Sequence, residues 1–286
     1  MEIWIDLKKS AAENANDYYG RAKKAKSKVR GAKIALENTN KKIADLENKR
    51  DKFTGIESTA LKKKVVKKKR WFEKFRWFYT TDNFLVVCGK DATTNEILIK
   101  KYTNDGDIIF HAQVQGSPFV VVKNEANIDI EKIPEQTKNE AAQAAASYSK
   151  AWGAGSGSVN VYSVLPGQVS KSAKSGEYLE KGAFMVEGKK DWYRNTEVEL
   201  AVGVMILKQQ EEQDTEIIGG PFSAVKSHSD YAVRIETGDK RSSELAQDIK
   251  KIFMEICKDS EREFIKKINI SDIQVWIPSG KGRIKR

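Results

Sequence analysis

WFEKFRWFYTTDNFLVVCGKDATTNEILIKKYTNDGDIIFHAQVQGSPFVVVK, residues Trp71 to Lys123, starts as the aromatic end of a basic helix and then changes period. Trp77, Tyr79 and Thr81 alternate with Arg76, Phe78 and Thr80, and Phe84 to Cys88 is an apolar run ended by Gly89, the pattern of two strands. Polar groups gather at GKDATTNE and again at HAQVQGS. Placed on adjoining strands, the two clusters form one site. Between them, Thr93 to Tyr102 reads as a short helix with Ile97 and Leu98 on its apolar face, and Lys90, Asp91, Asn95 and Glu96 at its N-terminal end. Asp91 there either caps the helix or serves a ligand. Asp107 to Ala112 is a strand that carries His111 to its end, and Gln115 to Pro118 turns into a strand ending at Lys123.

Upstream, small or apolar residues fall at Ala11, Ala15, Tyr18, Ala22, Ala25, Val29, Ala32, Leu36, Ile43, Leu46 and Phe53 in steps of four and three, with Thr39 and Arg50 in polar slots. That is a heptad seam, the mark of a coiled coil about 65 Å long. Ser10 is placed to cap it, and Glu2 to Leu7 alternates like a short strand. Gly55 breaks the helix, and a second one from Ile56 to Arg76 folds back as an antiparallel hairpin with Leu61, Val65, Phe72 and Phe75 on one stripe. The shorter second helix reaches only the Leu36 to Phe53 part, so the Ala11 to Ala32 seam needs another partner, a second copy of the chain among the choices. For Trp71, Phe75 and Phe78 burial where helix meets sheet is the preferred reading.

The 286 residues carry a net charge of +11. Residues 1–76 hold 23 Lys and Arg against 10 Asp and Glu, and the rest hold 28 against 30, so the whole excess lies in the first quarter. Concentrated positive charge is the footprint of a polyanion, or of a solvated helix face. The densest stretch, KKKVVKKKR, puts seven cations in nine positions, which repel one another around a helix unless phosphates or carboxylates come close. Lys62, Lys63, Lys64, Lys67, Lys68, Lys69 and Arg70 are therefore candidate RNA contacts, with Arg76 beyond them. Lys90, Asp91, Asn95, His111, Ser117 and Lys123 make up the candidate central site, and Ser170, Lys171 and Lys174 offer phosphate-binding chemistry in the loop QVSKSAK.

His111 admits several readings: general base, stacking platform, phosphate donor, or a hydrogen-bonded structural residue. No second His or Cys stands at metal spacing, and Cys88 and Cys257 form no Cys-x-x-Cys pair, so neither a metal site nor a disulfide scaffold is expected. Paired carboxylates and nucleophile motifs are also missing, so the expected activity is binding without catalysis or cofactor. No run approaches the roughly 18 apolar residues of a membrane helix.

The order WFEKFRWF, GKDATTNE, DIIFHA, GSPFVVVK resembles the RNA-binding module of the NFACT family. VYSVLPGQVSKSAKSGEYLEKGAFMVEGKKDW resembles it too, particularly the archaeal and eukaryotic branch. The resemblance implies an α+β protein: a long coiled-coil hairpin arm over 1–76, a mixed-sheet RNA-binding domain over 77–210, and a small α+β extension over 219–286. That extension is read as a strand pair (Phe222 to Lys226, Tyr231 to Glu236), a helix (Ser242 to Lys258), a strand (Ile270 to Ile277) and a mobile basic tail, after a linker at Lys208 to Thr215.

It also implies a cytoplasmic factor of ribosome-associated quality control that binds rRNA and tRNA on large subunits with stalled peptidyl-tRNA, where relatives support C-terminal tailing. Family members carry a further N-terminal half before the coiled coil, so Met1 is expected to open a fragment or truncated homologue. A nucleic-acid-modifying enzyme using His111 and Asp91, and a dimerisation scaffold built on the Ala seam, remain alternatives.

Overall fold

The computed structural model describes residues 4–7, 9–53, 70–171, 182–209 and 212–285, which fall into two compact units, 1–68 and 69–286. The first is dominated by α1 (Ala11–Phe53). Ser10 caps it as expected: its hydroxyl accepts from Glu13 N at 3.3 Å while the Glu13 carboxylate accepts from Ser10 N at 2.7 Å. Residues 4–6 are not a strand. With no strand beside them among the described residues, their backbone folds onto the first turns of α1, where Tyr18 Oη donates to Trp4 O and Asn14 Oδ1 accepts from Asp6 N. Val29, Leu36 and Ile43 of the heptad seam are exposed. Most of the expected second helix, with Lys62, Lys63, Lys64, Lys67, Lys68 and Lys69, lies outside the described residues. Its expected end is corrected: Trp71–Lys74 is a single 3-10 turn, and Arg76 already opens a strand.

In the second unit, β1 (Arg76–Tyr79) and β2 (Leu85–Cys88) form a hairpin followed by α2 (Ala92–Tyr102). Next come β3 (Ile108–Ala112) and β4 (Phe119–Val122), the helices α3 (Glu135–Ser147) and α4 (Lys150–Gly153), and β5 (Ser158–Val164). A two-residue ribbon pairs β6 (Val169–Ser170) with β7 (Met185–Val186), and β8 (Asp191–Glu197) completes a six-stranded sheet of order β1-β2-β4-β3-β5-β8. The expected mixed sheet is antiparallel in every described pairing. Val86, Val87, Val120, Val121, Ile109 and Phe110 are fully buried, so the central strands are apolar on both faces. α3 packs against this sheet through Ala141, Ala144 and Ala145, whose small side chains permit a close approach.

A four-stranded sheet of order β10-β9-β11-β12 follows, from β9 (Glu199–Gln209), β10 (Glu212–Gly220), β11 (Tyr231–Arg241) and β12 (Lys281–Ile284). The expected Lys208 to Thr215 linker is thus corrected on its described residues, which are paired strand: Gln209 stands opposite Glu212 and Lys208 opposite Gln213. Backbone pairing needs no apolar side chains, and polar composition hid it. Phe222–His228 is a helix, α5, launched by Pro221, and no strand. α6 (Ser242–Ile256) covers the sheet with Leu245, Ala246, Ile249 and Phe253, and α7 (Arg262–Lys267) follows it. The Ile270 to Ile277 strand is in fact α8 (Ile270–Gln274). The tail is likewise ordered: Lys281 to Ile284 pair with β11, and Lys285 joins Arg234 on the buried Glu199 carboxylate. Burial alone would raise the Glu199 carboxyl, but hydrogen bonds from Lys285 and Arg234 outweigh it and hold it below its usual range.

Lys123 corrects a site expectation. Its ammonium is buried, paired with Asp107 and donating to Tyr102 O at 2.7 Å, while Asp107 Oδ1 accepts from Asn124 N at 3.0 Å. It closes β4 onto the end of α2 and cannot reach an external ligand. Asp107→Asn leaves that ammonium buried without its counter-charge and is expected to cost about 3–5 kcal/mol. Urea unfolding is the check: a lower midpoint at unchanged slope, partly recovered in Asp107→Asn with Lys123→Met.

Candidate nucleic-acid interface

The loop after β2 is shaped by Gly89. A Cβ there would stand 1.8 Å from Asn95 Oδ1, so only glycine lets the Asn95 amide lie against the strand end. In that position Oδ1 accepts from Phe119 N at 3.2 Å, joining the first turn of α2 to the start of β4. Asp91 caps α2 in a reciprocal box: its carboxylate accepts from Thr94 N at 2.8 Å, and Thr94 Oγ1 accepts from Asp91 N at 2.9 Å and from Lys90 N at 2.8 Å. Such a cap stabilises a helix by about 1 kcal/mol.

Opposite, β3 delivers His111 between Phe119 of β4 and Tyr162 of β5. Its ring lies 4.7 Å from the Phe119 ring, and its Nδ1 is 3.5 Å from the Tyr162 hydroxyl. Burial lowers the imidazole pKa to about 4, against the smaller opposing effects of the Ser117 and Ala112 carbonyls. His111 is therefore neutral at pH 7, which removes the charged phosphate-donor reading. Ser117 is buried and donates to Val114 O at 2.5 Å, a turn-forming role. Gly116 takes φ +73°, and a Cβ on it would meet Lys150 Cε at 2.9 Å, so its absence also makes room for the Lys150 side chain along the turn.

These segments enclose a cleft of about 500 Å³. The two polar clusters do come together: Lys90, Asp91 and Asn95 line it from one side, and His111, Gln115 and Ser117 from the other. Tyr162 lines it as well, under the Lys190 ammonium at 4.4 Å. Tyr148, Lys150 and Phe184 also line it and were missed, because they come from α4, its approach and the ribbon, far away in sequence. Among the residues lining the cleft, Lys90 has its pKa lowered by burial and then by Arg76, which itself lies 4.7 Å over the Tyr148 ring.

The remaining candidates are dispersed. Arg70 stacks over Trp77 at 4.7 Å and pairs with Glu73 and Glu216, so it is a strut of the aromatic cluster. Lys171 lies 3.6 Å from Glu96 and 5.1 Å over the Phe184 ring, beside the cleft, while Ser170 is held in the ribbon opposite Met185. Lys174 lies outside the described residues. Burial pushes the Cys88 thiol up to about 12, so the cysteine beside Gly89 is no nucleophile. Among the described residues no group of three His, Cys, Asp or Glu could hold a metal ion, and no helix is long and apolar enough to cross a membrane.

The lowered His111 pKa has a sign. The unfolded chain takes up this proton near pH 6.5 and the folded chain only near 4, so stability held above pH 6.5 is lost as pH falls through that window. In His111→Gln this slope is expected to disappear, a difference of roughly 3 kcal/mol between pH 7 and pH 4 when referred to wild type. Urea midpoints across that range measure it.

Residues 74–188, which contain this cleft, match the family described as NFACT protein RNA binding domain. The chain is 40% identical over 204 residues to the archaeal Rqc2 homolog aRqcH of Methanocaldococcus jannaschii, covering 71% of this chain and 29% of that one. It is 36% identical over 208 residues to the ribosome quality control complex subunit NEMF homolog of Drosophila melanogaster, covering 73% of this chain and 20% of that one. With human ribosome quality control complex subunit NEMF the identity is 38% over 186 residues, covering 64% and 16%. The chain thus spans less than a third of each of these relatives. A solved structure titled as the C-terminal of the fibronectin/fibrinogen-binding protein from Streptococcus suis aligns at 22% identity over 66% of this chain and 77% of that one, with a TM-score of 0.36, too slight to bear on the site. Residues 74–188 are thus an RNA-binding domain of the NFACT family, in a chain similar to these quality-control factors.

Proposed function

We propose that this chain is the RNA-binding portion of a ribosome-associated quality control factor, acting in the cytoplasm on large ribosomal subunits that carry stalled peptidyl-tRNA. The observation that carries this reading is the domain match over 74–188 together with 40% identity to an archaeal Rqc2 homolog. The division of labour follows from charge. Residues 1–76 carry 23 cations against 10 acids, the property needed to lie along a phosphate backbone, and their heptad pattern suits a rigid hairpin arm. The cleft, with few charges and several rings, suits contact with bases of tRNA or rRNA.

The role is binding, without chemistry. His111 is neutral and wedged between rings, and the Asp91 carboxylate is engaged by Thr94, so neither is poised for acid–base work. C-terminal tailing is what the family resemblance implies for full-length members, and the role proposed for this chain is the binding. Self-association through Ala11 to Ala32 is the other role open to the arm.

Crosslinking of the purified chain to ribosomal subunits and cellular RNA tests the reading. Because Arg70 is a strut, the neutralised variant is confined to the six lysines at 62, 63, 64, 67, 68 and 69. Crosslinks are expected on large-subunit rRNA and tRNA. Each lysine that meets a phosphate should remove roughly 0.7–0.9 from the slope of log affinity against log salt. Crosslinking spread evenly over all RNA, with an unchanged slope in the variant, contradicts the proposal. Covalent change in the RNA that is abolished by His111→Ala would instead favour an enzyme.

A further inference from the structure

The cleft holds a hydrogen-bond donor that the fold leaves unused. Asn95 is 8% exposed, and its Oδ1 is fixed toward Phe119 N, which sets the orientation of the amide. Its Nδ2 has no acceptor among the described residues, although the side chain is buried and lines the cleft. Nδ2 itself is not one of the fully buried unpaired atoms, so it opens to the cleft, where a ligand acceptor can take the place of water. Around it stand the rings of Phe119, Phe184 and Tyr162, with Phe119 and Phe184 edge to face at 5.4 Å. At the same cleft are two ammonium groups, Lys90 and Lys150. Lys150 has no carboxylate partner among the described residues, and Asp91, the one carboxylate of the described lining, accepts from Thr94 N.

Rings, an unpaired donor and cations at one opening match one ligand chemistry: a flat π-system carrying a carbonyl or ring-nitrogen acceptor, joined to an anion. We infer that the cleft takes a single unpaired nucleotide of an RNA strand, with the base among the rings, a base acceptor on Asn95 Nδ2, and the phosphate at Lys90 and Lys150. About 500 Å³ is within the range of pockets that enclose one small ligand, and the cleft has no room for a stacked duplex. This assignment rests on the RNA-binding reading above and makes it specific: the arm supplies affinity without regard to sequence, and the cleft distinguishes an unpaired base from a paired one.

The test uses the full chain and changes the RNA first, so that folding of a variant does not enter. A short RNA duplex is prepared blunt, with one unpaired 3′ nucleotide, and with that nucleotide abasic, and affinities are compared at near-physiological salt. The unpaired base is expected to strengthen binding roughly tenfold over its abasic counterpart, the size of one base–aromatic stacking contact. Asn95→Asp, which keeps the Oδ1 acceptor and loses the donor, should erase most of that difference, whereas the six-lysine variant should weaken all three RNAs alike. Equal affinity for base-bearing and abasic ends by a chain that does bind RNA overturns the inference and leaves the RNA-binding reading standing. Failure to bind any of the three overturns both. Uridine or adenosine monophosphate displacing the overhang RNA at the overhang's own affinity would assign the cleft to free nucleotides and overturn the RNA assignment.

Discussion

The hydrogen bond from Phe119 N to Asn95 Oδ1 is the joint on which the cleft depends. It exists because Gly89 has no side chain, and it fixes α2 against β4 so that two polar stretches separated by some twenty residues face each other. The capping box of Asp91 then aligns the first turn of the helix, and the buried Lys123–Asp107 pair closes its far end onto the sheet. Each of these groups is polar and each is consumed by the fold. What is left over, the Asn95 amide nitrogen and the lysines of the opening, is what the surface can offer to a ligand.

A second polar centre keeps the two sheets in one unit. The Glu140 carboxylate on α3 is almost fully buried. It accepts from Thr81 N and Oγ1 at the turn after β1 and from Ser223 Oγ on α5, so the first sheet, its covering helix and the second sheet's helix share one acceptor. Satisfied buried groups of this kind specify one arrangement because any other leaves them unpaired. The second sheet takes strands from both sides of residue 210, and its last strand, Lys281–Ile284, returns from the end of the chain to pair with β11.

The helices and strands around the cleft were legible in the sequence because local signals agreed there: Asp91 before Ala92, a bend at Gly89, and an apolar run in each strand. The convergence of GKDATTNE with HAQVQGS was legible too, since hairpin-like connections constrain which strands neighbour each other. Lys123 was misread because a cation ending a strand looks exposed, and only its distant partner Asp107 buries it. Phe222–His228 and Ile270–Gln274 were misread as strands because short apolar runs fit either period, and tertiary packing chose helix. Lys150 and Phe184 were invisible for a simpler reason, since nothing local marks a residue that reaches a site from another element.

Chemical-shift mapping of the Asn95 side-chain amide and the Phe119 N–H during titration with RNA bears most directly on the claim that this cleft is the point of contact. The account predicts that both resonances move early and saturate together, while amides of β11 and β12 stay in place. Shifts confined to the second sheet, with Asn95 and Phe119 unmoved at saturation, would contradict it.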